Sequence, residues 1–374
     1  MMKKIFIITG DYSGDIHAAN VVKMLKTLNS DIVVEGIGGE NLKAQGVKLF
    51  VDQKKLGAAG ISPKILVEHF LLGVRVVNYL KNEYKPDLVL LIDYGGFNLG
   101  ISKYLKHAGI KLYYYIPPQV WASRKWRINK IKKYIDKVLC IFPFEKTMYE
   151  NCGIKTHYVG HPLISQLPPK ADRAAFFKKH GLNADKKLVS VFPGSRVFEL
   201  KQLMDIFVKA INDLKKKHPD LQFCISQAPN LDDTVYNKFL KSADVKVIKG
   251  ENQALLSVSD ALILASGTVA LEAALYGTPM IIAYRGPWIL YFVYLLVRCI
   301  KRVSLPNIIA DKDIVPEIIQ NNVNVNNISY ETEKILFDAE YRKNYTEQLA
   351  GIKALLSDKN AAKEVAEEIF KLSV

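Results

Sequence analysis

At 374 residues the chain has room for two domains, each able to bury a core, and hydrophobic residues at 49% with charged residues at 24% exclude a disordered or fibrous protein. A net charge of +15 restricts the partners to anionic ones: phosphorylated substrates, an acidic membrane surface or nucleic acid. The four scattered cysteines, Cys140, Cys152, Cys224 and Cys299, with no Cys-x-x-Cys pair and no histidine at ligand spacing, exclude a zinc site and a disulfide framework and suit a cytosolic protein.

Residues 3–8 predict a buried first strand, because the apolar run after Lys3 and Lys4 stops at Thr9-Gly10-Asp11, too soon for an export signal. Residues 9–15 read as a loop and 16–28 as a helix with Ala19, Val22 and Leu25 or Leu28 inward. The glycines of that loop do not have dinucleotide spacing, and Asp11 and Asp15 would repel a diphosphate, so the loop suits hydroxyl groups better. Residues 32–37 form a second strand. Residues 61–80 are apolar apart from a few charges, which argue against a membrane span and leave a buried helix pair or an exposed patch that meets lipid.

Residues 87–93 predict another buried strand with Asp93 at its carboxyl end, where α/β enzymes place chemistry. An acid there serves equally as a helix cap or as a catalytic base. A turn over 94–98 leads into a helix over 99–106, then a strand over 111–116 and a rigid loop over 117–121. Arg124, Lys125, Trp126, Arg127, Lys130, Lys132 and Lys133 interleave basic and aromatic residues, a pattern that suits nucleic acid, anionic lipid head groups or a solvated helix face. Strands over 137–142 and 156–159 close the first half, and 160–169 reads as a hinge in which His161 is expected to have no chemical role.

The second half restarts with a strand over 187–192, the loop Pro193-Gly194-Ser195-Arg196 and a helix over 199–214. Arg196 opens that helix at the end unfavourable for a cation by about 0.3–1 kcal/mol, a penalty that a bound phosphate would reverse. After strands over 221–226 and 245–248 comes the most informative stretch. Residues 261–265 are a buried strand, Ser266-Gly267-Thr268 a turn, 269–275 a helix stopped by Gly277 and Pro279, and 280–284 a second strand. This β-α-β unit forces a parallel sheet and puts the turn at its carboxyl edge, where the unpaired amides of the helix favour an anion. Glu272, one turn behind Thr268, is suited to sugar hydroxyls. The unit thus fits a nucleotide sugar, with diphosphate on the helix start and ribose on Glu272, and equally fits an ordinary capped helix of an α/β fold.

Residues 288–297 are wholly apolar and followed by Arg298, Lys301 and Arg302; they are too short to span a bilayer and suit an interfacial or a buried helix. Residues 304–307 read as a loop, 313–319 as the start of a helix around Pro316, and 341–374 as helices packing back on the protein.

Two halves of strand, turn and helix predict an α/β protein of two facing Rossmann-like doubly wound domains. The chain resembles the lipid-A-disaccharide synthase family, glycosyltransferases of the GT-B type, over nearly its whole length. The resemblance is carried by Gly10-Asp-Tyr-Ser-Gly-Asp15, Ile92-Asp93 with Phe97-Asn98, Pro118-Gln-Val-Trp-Ala122, Phe142-Pro-Phe-Glu145, Gly160-His-Pro162, Pro193-Gly-Ser-Arg196, Ala265-Ser-Gly-Thr-Val-Ala-Leu-Glu272 and Ser304-Leu-Pro-Asn307. It implies an acceptor domain over 1–165, with helices of 345–374 packing back on it, and a UDP-sugar donor domain over 166–344. It implies inverting transfer of 2,3-diacylglucosamine from UDP-2,3-diacylglucosamine to 2,3-diacylglucosamine 1-phosphate, giving the β-1,6 disaccharide and UDP.

By motif position Asp93 matches the family's base. Gly194, Ser195, Arg196, Ser266, Gly267, Thr268, Glu272 and Asn307 match donor-binding positions, and Ser13, Gly14, Asp15 and Asn98 fall on the acceptor side. The resemblance implies no cofactor, no metal and no nucleic acid, with the anionic inner face of the bacterial inner membrane as a partner of a cytoplasmic, peripherally bound enzyme. The chain departs from the family's pattern at Gly96, where an acid is usual, at Asp11-Tyr12, where glutamate and a small residue are usual, and at Ser123, where an aromatic is common; these changes bear on acceptor and acyl-chain preference. The residues themselves also fit a UDP-sugar epimerase or another glycolipid transferase of the same architecture, and more remotely a basic nucleic-acid binder using residues 124–133.

Overall fold

In the computed structural model residues 3–56, 63–240, 245–287, 291 and 299–373 are described. The chain divides into two compact units, Met1–Ser165 with Leu356–Val374, and Gln166–Leu355.

In the first unit the strands β1 (Lys4–Ile8), β2 (Val33–Gly38), β3 (Lys48–Asp52), β4 (Leu88–Ile92), β5 (Leu112–Tyr115), β6 (Lys137–Cys140) and β7 (Thr156–Tyr158) pair in parallel, in the order β3-β2-β1-β4-β5-β6-β7. Continuous apolar runs are what such strands need, because helices cover both faces of a parallel sheet; β4 is buried at every position. The helices are α1 (Tyr12–Leu28), α2 (Glu40–Ala44), α3 (Pro63–Tyr79), α4 (Gly95–His107), α5 (Arg127–Tyr134) and α6 (Pro143–Asn151), and the short α7 (Leu163–Gln166) leads out of the unit.

The second unit repeats the plan. Strands β8 (Lys187–Phe192), β9 (Leu221–Gln227), β10 (Lys246–Lys249), β11 (Ala261–Ala265), β12 (Met280–Tyr284) and β13 (Glu317–Ile319) are parallel, in the order β10-β9-β8-β11-β12-β13. Around them lie α8 (Arg173–Lys179), α9 (Val197–Lys217), α10 (Asp233–Leu240), α11 (Asn252–Val258), α12 (Val269–Tyr276), α13 (Leu305–Ala310), α14 (Val325–Phe337) and α15 (Ala339–Leu355). The last helix, α16 (Ala361–Phe370), belongs to the first unit and packs on α1. His157 Nε2 lies 2.9 Å from Glu364 Oε2, Lys137 pairs with Glu368, and the Lys3 ammonium donates to the Ile369 carbonyl at 3.2 Å.

Five expectations change, the simplest being that the loop read over 304–307 is the start of α13, capped by Ser304. Residues 345–355 stay with the second unit, because the Tyr345 hydroxyl donates to the Met280 carbonyl at 2.6 Å and accepts from the Met280 amide; the return to the first unit begins at Leu356. Residues 313–319 do not open a helix: Pro316 has no amide to offer one, and the β-branched pair Ile318-Ile319 adds β13 to the edge of the second sheet. Residues 61–80 are no buried helix pair. Their described part is the single helix α3 and the start of a π turn, with Leu66, Val67, Phe70, Leu71 and Val74 turned to solvent. The helix expected over 16–28 starts earlier, at Tyr12, because Asp11 caps it by accepting from the Gly14 amide at 2.7 Å. Except for Tyr291, the apolar run 288–297 lies outside the described residues.

Candidate active site

In each sheet the strand order reverses direction once, and ligands of open α/β sheets bind at the carboxyl edge where that happens. In the first sheet this point lies between β1 and β4, where Ile8 is in register with Leu91, so the segments after them, Thr9 to Asp11 and Asp93 to Gly95, are neighbours. They interlock. A Cβ on Gly10 would fall 2.3 Å from the Tyr94 ring, so only glycine lets that ring lie there.

Asp93 and Tyr94 both adopt left-handed backbone, with φ of 45° and 50°. Two consecutive non-glycine residues in that region cost about 1–3 kcal/mol each and persist only when their surroundings hold them. Here the Asp93 carbonyl is gripped by the Tyr114 hydroxyl at 2.7 Å and the Asn98 side-chain amide at 2.8 Å. The strained turn aims the Asp93 carboxyl into a largely buried place, and its pKa is raised to about 6, first by burial and then by the charge of Asp11, against a hydrogen bond from the Tyr94 amide. A carboxylate near 6 is ionised at neutral pH yet far more basic than an ordinary aspartate, as a general base must be. His17 on α1, its Nε2 3.5 Å from the Ser13 hydroxyl, is lowered to about 4 by burial and is neutral at pH 7.

In the second sheet the reversal lies between β8 and β11, with Phe192 in register with Leu264. The segments beyond them are Pro193 to Arg196 and Ser266 to Thr268, so the two donor motifs read from sequence are adjacent in space. Gly194 has φ of 109°, and a Cβ there would sit 2.3 Å from Glu199 Oε2. That Glu199 oxygen accepts from the Ser195 and Arg196 amides at 2.9 and 3.2 Å, and its partner oxygen takes the Arg196 guanidinium at 3.2 Å. The unfavourable cation at the start of α9 is thus offset by the chain's own carboxylate. Thr268 caps α12 without a side-chain hydrogen bond, and a Cβ on Gly267 would meet nothing within 4 Å, so the helix start is open to an anion. Glu272 is held above its ordinary pKa by burial, opposed by a hydrogen bond from Gln253 at 3.3 Å.

Several of the expected contact residues have structural partners. Asp15 is fully buried and accepts from the amides of Gly39, Asn41 and Leu42 and from the Asn41 side chain, which ties α1 to the start of α2. Gly14 is needed because a Cβ would strike the Thr9 hydroxyl at 2.0 Å. Buried Asn98 spends its amide on the Asp93 turn. Asn307 donates to Val315 O and Glu317 Oε1 and accepts from the Ile314 and Val315 amides, so its side chain is engaged within the domain. Of the acceptor-side set Ser13 alone is exposed.

Sequence reasoning missed Asp11 as the acid facing Asp93. The available signal was its place just past β1, the strand that parallel order sets beside β4. His161 is buried against Phe142, and its Nδ1 accepts from the Leu163 amide at 3.3 Å. The motifs at 118–122 and 142–145 belong together: the Trp121 indole donates to buried Glu145 at 2.8 Å, and Glu145 also takes the Ile141 and Phe142 amides. At Gly96 a Cβ meets nothing within 4 Å, so packing does not require glycine there.

Two all-parallel α/β domains with candidate residues at both switch points define a protein of GT-B-like fold. Solved structures agree: the UDP-GlcNAc 2-epimerase of Neisseria meningitidis bound to UDP-GlcNAc aligns with a TM-score of 0.70 over 98% of this chain and 100% of its own, and that of Methanocaldococcus jannaschii with 0.63 over 98% and 99%. Identities of 16% and 13% make this a likeness of fold alone. The family model for lipid-A-disaccharide synthetase matches residues 5–370. The lipid-A-disaccharide synthase of Myxococcus xanthus is 33% identical over 372 residues, 99% of this chain and 97% of the relative, and lipid-A-disaccharide synthase 1 of Legionella pneumophila is 35% identical over 362 residues, 96% and 94%. The chain belongs to the lipid-A-disaccharide synthase family, glycosyltransferases of lipid A biosynthesis.

Proposed function

We propose that Asp93 takes the proton of the acceptor's 6-hydroxyl as that oxygen attacks the anomeric carbon of UDP-2,3-diacylglucosamine. The new C–O bond forms as the bond to the diphosphate breaks, the electron pair leaves with UDP, and the proton rests on Asp93 before passing to water. The acceptor is 2,3-diacylglucosamine 1-phosphate and the product its β-1,6 disaccharide. The start of α12 and Arg196 stabilise the charge growing on the leaving diphosphate, Ser195 and Ser266 flank it, and Glu272 accepts from ribose hydroxyls. Ser13 and Asp11 face the acceptor.

The observation that carries this reading is a carboxyl raised to about 6 on a strained turn at the switch point of the first domain. The test is product analysis with both glycolipids and a metal chelator present. Disaccharide and UDP are expected; UDP-sugar turned over without the second glycolipid would favour an epimerase instead.

The base assignment sets a pH dependence. Only ionised Asp93 works, so kcat should fall below an acid limb near pH 6. Removing the Asp11 charge lowers the Asp93 pKa, so Asp11→Asn should move that limb to lower pH and reduce the plateau rate, since a weaker base accelerates less. Asparagine still caps α1, so the fold is kept. A limb that stays put would separate Asp11 from Asp93.

The membrane partner rests on α3 and its neighbours. α3 packs on α4 and α4 on α5. From this layer emerge the apolar stripe of α3, with Phe70 69% exposed, and Trp126, 62% exposed, at the head of basic α5. Among the described residues no helix is long and apolar enough to cross a membrane. Apolar side chains bordered by cations fit the interface of an anionic bilayer. Phe70→Asp should lower binding to phosphatidylglycerol vesicles about tenfold in co-sedimentation, with melting temperature unchanged because the residue is exposed.

A further inference from the structure

The first domain contains a groove that none of the residues assigned above to donor, acceptor or catalysis lines. It encloses about 770 Å³, between the edge strand β3 on one side and α3 on the other. Five residues of strand give it a length of ~16 Å, the reach of a medium-length fatty acyl chain. Leu49, Val51, Leu71 and Leu72 contribute the apolar part of its lining, and Lys43, Lys48, Glu68 and Arg75 line it as well.

The two ends differ. At the carboxyl end of β3 the groove is bounded by Asp52 and His69, and the His69 ring lies 5.8 Å from the Tyr94 ring and 6.1 Å from that of Phe97. Tyr94 directly follows Asp93. The His69 ring at this end of the groove thus neighbours the Tyr94 ring of the turn that carries the proposed base, and the groove runs from there along the sheet edge. His69 Nδ1 lies 2.7 Å from the Ile65 carbonyl, which can only accept, so Nδ1 donates to it. Leu71 lines the groove and is also 55% exposed in the outward stripe of α3, so the apolar surface is continuous from that stripe into the groove.

We propose that this groove holds one acyl chain of the acceptor glycolipid while its sugar stands at Asp93. The assignment rests on the glycosyl-transfer reading above and adds where the lipid goes. The apolar part of the lining replaces water around the methylenes, and Asp52 and His69 meet the polar linkage at the head of the chain. Chain length would then be read by a site in the first domain, separate from the diphosphate-binding loops.

The test uses the full-length protein and a series of acceptors of graded acyl length, with the donor held fixed. Leu49 is half-buried on an edge strand that tolerates an aromatic residue. Leu49→Trp fills the groove and should raise the acceptor KM about fourfold for each methylene it displaces, leaving short-chain acceptors and the donor KM as in the wild type. Leu49→Ala should shift the preferred acceptor to longer chains. A KM rise equal for all chain lengths, or a response that follows the donor's chain, would overturn the proposal. Wild-type turnover by Asp93→Asn would instead defeat the base assignment, and it leaves the chain-length readout to be judged on its own.

Discussion

Asp93→Asn is expected to lose turnover by about 10²–10⁴-fold, the usual contribution of a positioned general base, while UDP affinity stays within about twofold. The substitution is nearly isosteric, and asparagine tolerates the left-handed backbone of this turn. The hydrogen bonds that hold the turn from outside go to the Asp93 carbonyl, from Tyr114 and Asn98, and the asparagine side-chain oxygen can still accept from the Tyr94 amide. Stability should move the other way. The folded-state pKa of about 6 lies above the ordinary value of 3.8, so folding favours the protonated form. That contribution is complete below about pH 4 and lost as pH rises through 6, which makes the ionised carboxylate a burden at neutral pH. Asp93→Asn should therefore melt higher than wild type at pH 7 to 8 and lose this advantage near pH 4. An inactive variant that is also less stable at pH 7 would mark a structural residue, and wild-type turnover would remove Asp93 as base.

The framework of this site was legible in the sequence because it rests on strong local signals. Unbroken apolar runs at 88–92 and 261–265 could only be buried parallel strands, and parallel strands put Asp93 and Ser266 at carboxyl edges. Other features lacked a local signal. β3 is a five-residue edge strand, half-buried apart from exposed Lys48, and carries no clean alternation. The apolar residues of α3 have the same spacing whether their stripe faces a core or solvent, so only packing decides. Asp15 and Asn307 are polar residues in short motifs, which read as ligand contacts until their partners are seen. Those partners are backbone amides more than twenty residues away for Asp15 and the loop over 314–315 for Asn307.

Arg196→Ala should weaken UDP affinity by about 10–100-fold, the loss of one or two hydrogen bonds to a charged group. The side chain is 75% exposed and pairs with Glu199, an i,i+3 contact at 3.2 Å. Exposed pairs of this kind contribute little, so exchanging the carboxylate for a diphosphate costs the free protein almost nothing. Nor does the loop depend on the guanidinium, since Glu199 holds the Ser195 and Arg196 amides through its other oxygen. The melting temperature without ligand should therefore stay put while the UDP titration moves. Arg196→Lys restores the charge without the two-pronged geometry and should recover only part of the affinity. The loss should also fall on kcat, because charge on the diphosphate grows as the anomeric bond breaks and the cation is then worth more than in the ground state. Unchanged UDP affinity in Arg196→Ala would remove the β8–α9 loop from the donor site and leave the start of α12 as the sole anchor for the phosphates.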